Sequence, residues 1–183
     1  THEVIIGKSF WTWGGEIGIN EYGVAIGNEA VFTTLQGEEK ADGLVVTDML
    51  RLGLERGRTA REAVEAIGSA LEQFGQGGNC ELSGNSHFDG SHLIADPSEA
   101  WVIETAGREW VAKKLEDPVG SISNVLSIGD DWDMSSLSKK VDWATTYGEP
   151  KIVPLIGSRE RKASSYNCLA AEKGNITVKT FFD

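Results

Sequence analysis

Between Thr59 and Gly75 the chain carries an uninterrupted apolar stripe, with Ala60, Ala63, Val64, Ile67, Ala70, Leu71 and Phe74 recurring at helical spacing. Thr59 and Glu62 stand three apart as a capping box does, and Gly75 follows as a stop, so this helix is bounded at both ends. A stripe that wide has to be covered by another layer, which excludes an isolated or all-polar helix. Val46, Met49, Leu50 and Leu54 repeat at the same spacing between Asp42 and Gly57 and predict a helix ahead of it. On either side the period shortens. Residues 3–7 are β-branched, and Ile17-Gly18-Ile19 joins a strand over 24–32 through Asn20-Glu21-Tyr22-Gly23, a hairpin signal. Further strands are predicted over 91–95, 100–105, 110–115 and 120–128, with Asp96-Pro97-Ser98-Glu99 as the first turn, an antiparallel meander. The segment from Gly75 to Asp89 begins glycine-rich, continues polar without a period, and reads as a loop. Residues 135–147 and 158–172 have weaker helical periods, separated by a connection containing Pro150 and Pro154. With 183 residues and 40% hydrophobic content there is enough for one core, so the expectation is a single α+β domain over 1–183 whose helices cover its sheets.

Charge narrows the partners. A formal net charge of −11 and a pI near 4.7 oppose nucleic-acid phosphates and anionic lipid. Two cysteines, Cys80 and Cys168, make no disulfide framework, and no apolar run approaches a spanning helix. Residues 1–20 lack the pattern of a secretory signal, and together these features predict a cytoplasmic protein. His87 and His92 with Asp89 and Asp96 lack the spacing of a metal site. Asp130-Asp131-Trp132-Asp133 lacks the glycine and distal glutamate of a calcium loop, and the glycines at 75–78 lack the lysine of a phosphate cradle. No cofactor or metal is expected.

Two asparagines fall where apolar residues are expected. Val24, Ile26, Asn28, Ala30 and Phe32 share one strand face, and Ile122, Asn124, Leu126 and Ile128 share another. An unpartnered amide in an apolar site costs about 2–7 kcal/mol, so each needs a reason to be there. One reason is a satisfied core amide that fixes register. The other is an oxyanion hole, which needs fixed N–H donors where charge develops during acyl transfer.

The wording from Trp11-Thr12-Trp13-Gly14-Gly15-Glu16 through Asn20-Glu21-Tyr22-Gly23 to Ile26-Gly27-Asn28-Glu29-Ala30-Val31-Phe32 resembles secernins and their related dipeptidases. The likeness continues in order through Leu50-Arg51-Leu52-Gly53-Leu54-Glu55-Arg56, Gly75-Gln76-Gly77-Gly78-Asn79-Cys80, Ala100-Trp101-Val102-Ile103-Glu104-Thr105-Ala106-Gly107 and Ile122-Ser123-Asn124-Val125-Leu126-Ser127. The resemblance implies an N-terminal-nucleophile (Ntn) hydrolase, an αββα sandwich of mainly antiparallel sheets, present here in part. In such enzymes a first-residue cysteine attacks an amide carbonyl and its own α-amine is the base. An α-amine pKa of about 7.7–8.0 suits that role without a histidine. By motif, Asn124 corresponds to the side-chain oxyanion donor, and the backbone donor falls near Asn28 across a one-residue gap. The family places its cysteine upstream of the Trp-x-Trp-Gly segment, so the chain is expected to be an internal fragment without its nucleophile, inactive alone and prone to homo-oligomerise. A non-catalytic binding or regulatory scaffold is the alternative.

Other candidates follow from position. Thr1 has the form of an N-terminal nucleophile, although the alignment places it inside a family strand. Cys80 is either a nucleophile or a loop thiol. Trp11 and Trp13, two apart, make an aromatic wall for a peptide side chain or pack in the core, and Glu16 and Glu104 anchor a substrate amino group or are solvated or paired carboxylates. A short peptide or small amide is the expected substrate.

Overall fold

The computed structural model of the protein describes residues 1–35 and 43–182. Among the described residues seven strands pair consecutively and antiparallel in one sheet: β1 (Val4–Gly7), β2 (Ile17–Asn20), β3 (Ala25–Val31), β4 (Asp89–Ala95), β5 (Ala100–Ala106), β6 (Glu109–Lys114) and β7 (Met134–Ser135). Helices α1 (Val46–Arg56) and α2 (Ala60–Phe74) are inserted between β3 and β4 and lie together on one face. The Thr59 hydroxyl accepts from the Glu62 N–H at 3.2 Å, while the Glu62 carboxylate turns to the Arg58 N–H at 2.8 Å, so both halves of the predicted start signal are used. Gly75 ends α2 at φ +78°, as a glycine stop requires. The predicted start at Asp42 lies outside the described residues, and Gly43 to Val45 are not helical.

The sheet carries apolar residues on both faces. Ile26, Ile94, Trp101, Ile103 and Ala112 meet Met49, Leu50, Leu54, Val64, Ile67 and Leu71 of the helices. Val31, Val102, Ala106 and Val111 face the other way and are covered by Leu126, Ile128 and Trp143. Trp143 belongs to the short helix α3 (Trp143–Tyr147). The chain then runs through a 3-10 turn at Val153–Leu155 into α4 (Ser158–Ala171), ending in another 3-10 turn at Val178–Phe181.

Two expected elements differ. Residues 120–128 are not a strand, although Leu126 and Ile128 are buried as anticipated and Ile122 packs on the same core. Of the helix expected over 135–147, only the last five residues are helical. Ser135 pairs instead with Val111 on the sheet edge.

Candidate active site

The sequence candidates separate onto the two faces of β3. Asn28 has the parity of Ile26 and points to the α1 side, whereas Glu29 has the parity of Val31 and points to the other.

On the helix side the segment 8–16 is a loop rather than a strand, and it packs on the start of α1. A Cβ on Gly14 would sit 2.1 Å from the Thr47 carbonyl, and Gly15 N–H donates to that oxygen at 3.0 Å. Trp11 and Trp13 meet different partners. The Trp11 indole N–H donates to the Cys80 carbonyl at 3.2 Å, while the Arg51 guanidinium stacks 4.2 Å over Trp13 and donates to its carbonyl at 3.0 Å. With its amide nitrogen turned toward Glu16, Asn28 donates to the Glu16 carbonyl at 2.9 Å and to its carboxylate at 3.1 Å. The backbone N–H of Asn28 also donates to the Glu16 carbonyl, at 3.2 Å. Burial pushes the Glu16 carboxyl up and the Glu29 carboxylate adds to it. Burial likewise raises the Cys80 thiol, with Glu16 and Asp48 pushing the same way against the N–H groups of Val46 and Phe88. A raised thiol pKa lowers the share of thiolate, the nucleophilic form. The two histidines close to it in sequence meet backbone carbonyls: the His87 ring contacts that of Gly78, and His92, fully buried, donates through Nε2 to that of Val46 at 3.2 Å. Thr1 is exposed at the other end of the sheet. His2 N–H donates to the Glu55 carbonyl at 2.9 Å, and β1 pairs Val4 with Asn20, away from the Asn28 end of β3.

On the opposite face Asn124 stands over the end of β3. Its Nδ2 donates to the Ala30 carbonyl at 2.8 Å and to the Glu29 carboxylate at 3.1 Å, and its Oδ1 accepts from the Arg161 guanidinium at 2.8 Å. Three partners fix the amide in one orientation. Glu104 is completely buried, and its two oxygens accept from the Ser127 N–H at 2.8 and 3.0 Å, the Ser127 hydroxyl at 2.9 Å and the Ile128 N–H at 3.2 Å. Burial raises its carboxyl against those donors and the nearby Lys162 charge. The same burial lowers the Lys162 amine, which Glu104 opposes. Arg161 and Lys162 carry no signal in the sequence, where α4 shows only a weak period and no motif.

Among the described residues no group of three or more His, Cys, Asp or Glu is placed to hold a metal ion, and no helix is long and apolar enough to cross a membrane.

Known proteins resemble this chain in sequence and in fold. The family model for peptidase family C69 matches residues 9–145. A dipeptidase of Bifidobacterium longum is 32% identical over 139 residues, covering 66% of this chain and 24% of that protein. A probable dipeptidase A of Streptococcus pyogenes is 31% identical over 108 residues, covering 56% of this chain and 21% of that protein. The matched stretch is thus a minor part of the length of these relatives. Among solved structures, a mutant conjugated bile acid hydrolase from Clostridium perfringens matches with a TM-score of 0.54 at 16% identity, over 99% of this chain and 61% of that one. The α+β architecture of helices on antiparallel sheet is therefore the Ntn-hydrolase fold.

Proposed function

Because this chain belongs to peptidase family C69, we propose that its residues form part of the site of a cysteine-type peptidase acting on dipeptides or other small amides. The observation that carries this reading is the fixed amide of Asn124. Ala30 and Arg161 hold it, leaving the hydrogen directed at Glu29 as the one that a substrate oxygen takes over when charge develops. The backbone N–H near Asn28 is the second donor in this reading. In this reading the nucleophile is a cysteine outside residues 1–183: burial raises the Cys80 thiol, which disfavours its thiolate, and Thr1 lies at the far end of β3 from Asn28. Glu16, whose raised carboxyl lies beside Asn28, and Trp13, stacked under Arg51 of α1, are on the helix side of β3, across the sheet from Asn124, so this reading gives Glu16, Trp11 and Trp13 no direct hold on a substrate oxygen at Asn124.

One observation favours the alternative of a non-catalytic scaffold. Both Asn124 amide hydrogens and the Asn28 backbone N–H already have acceptors. A dipeptide panel supplied to the purified chain, with Thr1→Ala and Cys80→Ala as controls, tests the assignment. The expected result is no hydrolysis in any sample. Hydrolysis abolished by either substitution would place the nucleophile inside the chain and overturn the reading.

A further inference from the structure

Residues 120–128 carry Asn124 but have no strand partner among the described residues, so their position is set in another way. The register shows how. Glu29 on β3 pairs with Ser91 on β4, and Ser91 with Glu104 on β5, so the three lie in one row across the face opposite α1 and α2. On one side of this row the face is apolar, with Leu93 and Val102; on the other, buried Asp89 stands opposite Val31 and accepts from the Thr33 hydroxyl and the Gly107 N–H. Both carboxylates of the row reach the overlying segment, Glu29 at Asn124 and Glu104 at Ser127 and Ile128.

Two strand spacings separate Glu29 from Glu104, about 9.5 Å. The segment bends at 124–125, where the Val125 N–H donates to the Ser123 carbonyl, yet it contacts β3 through Asn124 and β5 through Ser127 and Ile128. The segment therefore crosses the strands instead of running beside one. That course explains why a sequence with strand alternation makes no ladder here, and it leaves the backbone N–H groups of 127 and 128 without sheet acceptors. Glu104 provides both, from a position with no exposure to solvent. Helix α4 completes the arrangement from above, with Arg161 donating to the side-chain Oδ1 of Asn124 and Ser165 bonded to the Ser121 hydroxyl.

We infer that Glu104 is a positioning residue: by accepting the Ser127 and Ile128 N–H groups it holds the crosswise segment so that the Asn124 amide is presented at the end of β3. This role rests on the proposed part of Asn124 in acyl transfer, but the holding itself can be tested without activity. In Glu104→Gln one acceptor oxygen becomes an NH2 group facing N–H donors, so at least one bond is lost at nearly constant volume. Glu104→Ala removes all of them.

The test is amide hydrogen exchange on the 183-residue chain, together with the NMR signal of the Asn124 side-chain amide. The expected result is exchange at Ser127 and Ile128 at least tenfold faster in Glu104→Gln, with a shifted Asn124 amide signal and unchanged protection in α2. Glu104→Ala, if it folds, shows the larger effect. Unchanged exchange at 127 and 128, or an equal rise in α2, overturns the inference. If dipeptide turnover is found in a longer protein containing these residues, Glu104→Gln lowers kcat while KM stays within about twofold, as loss of transition-state positioning requires.

Discussion

Asn20 is 5% exposed, and its amide makes four bonds: Nδ2 donates to the Leu54 and Gly57 carbonyls at 2.9 and 2.7 Å, and Oδ1 accepts from Tyr22 and Val24 N–H at 3.0 Å each. One side chain thereby closes the β2–β3 turn and ties it to the end of α1. Asn20→Ala leaves buried backbone groups on both sides unpaired and should cost about 2–4 kcal/mol, read as a lower urea midpoint with an unchanged m-value. In the sequence Asn20 is visible only as a turn residue, because its acceptors lie on a helix end more than thirty positions later. Asn28 and Asn124 were legible as polar residues in apolar rows, but their partners Glu16 in a loop, Glu29 on β3 and Arg161 on α4 were not, since strand periodicity tells which face a residue takes and not what is packed against it. His92 gives a second residue-scale prediction. Complete burial pushes its imidazole down to about 4 from 6.5, outweighing the bond to Val46. The folded state then takes up its proton only near pH 4 while the unfolded chain takes it up near 6.5. This contribution to stability is full above pH 6.5 and is lost as pH falls toward 4. The His92 ring signal should show no titration between pH 7 and about 5 by NMR, and a midpoint near 6.5 would refute its burial as a neutral group.

At the scale of elements, α2 was fully legible because cap, stripe and stop agree, and it forms over Ala60–Phe74 as those signals indicate. Its approach to the sheet depends on Gly68. A Cβ there would lie 2.5 Å from the Trp110 ring, and that ring is held by its indole N–H on Glu72 at 2.8 Å. Gly68→Ala gains about 1 kcal/mol of helix propensity but meets an overpacking cost of about 1–3 kcal/mol. A net loss of stability is expected, and a raised thermal midpoint would show that Trp110 moves freely. The strand expected over 120–128 fails for a different reason. Alternation reports which residues are buried, and it did so for Leu126 and Ile128, but it does not distinguish a chain beside a strand from one lying across several. For 135–147 the weak period reflects two short pieces of different kind, an edge strand and a helix of five residues.

At the scale of the molecule, the face opposite α1 and α2 is covered only in part. Ile5, Ile17 and Ile19 share that face near the β1 edge and are 77%, 65% and 44% exposed, and a Cβ on Gly27 beside them would meet nothing within 4 Å. An open edge strand bordering an apolar face favours association. The chain should therefore sediment as a concentration-dependent oligomer, shifted toward monomer by Ile5→Lys with Ile17→Lys. A monomer at all concentrations would rule out the homo-oligomer. The charge of −11 opposes association at low salt, so added salt should strengthen it. The proposed chemistry stands or falls with Asn124. In a longer protein that carries these residues behind an N-terminal cysteine, dipeptide turnover should fall about a hundredfold or more in Asn124→Ala with folding retained. Turnover equal to that of the parent would contradict the assignment of Asn124 to the oxyanion site.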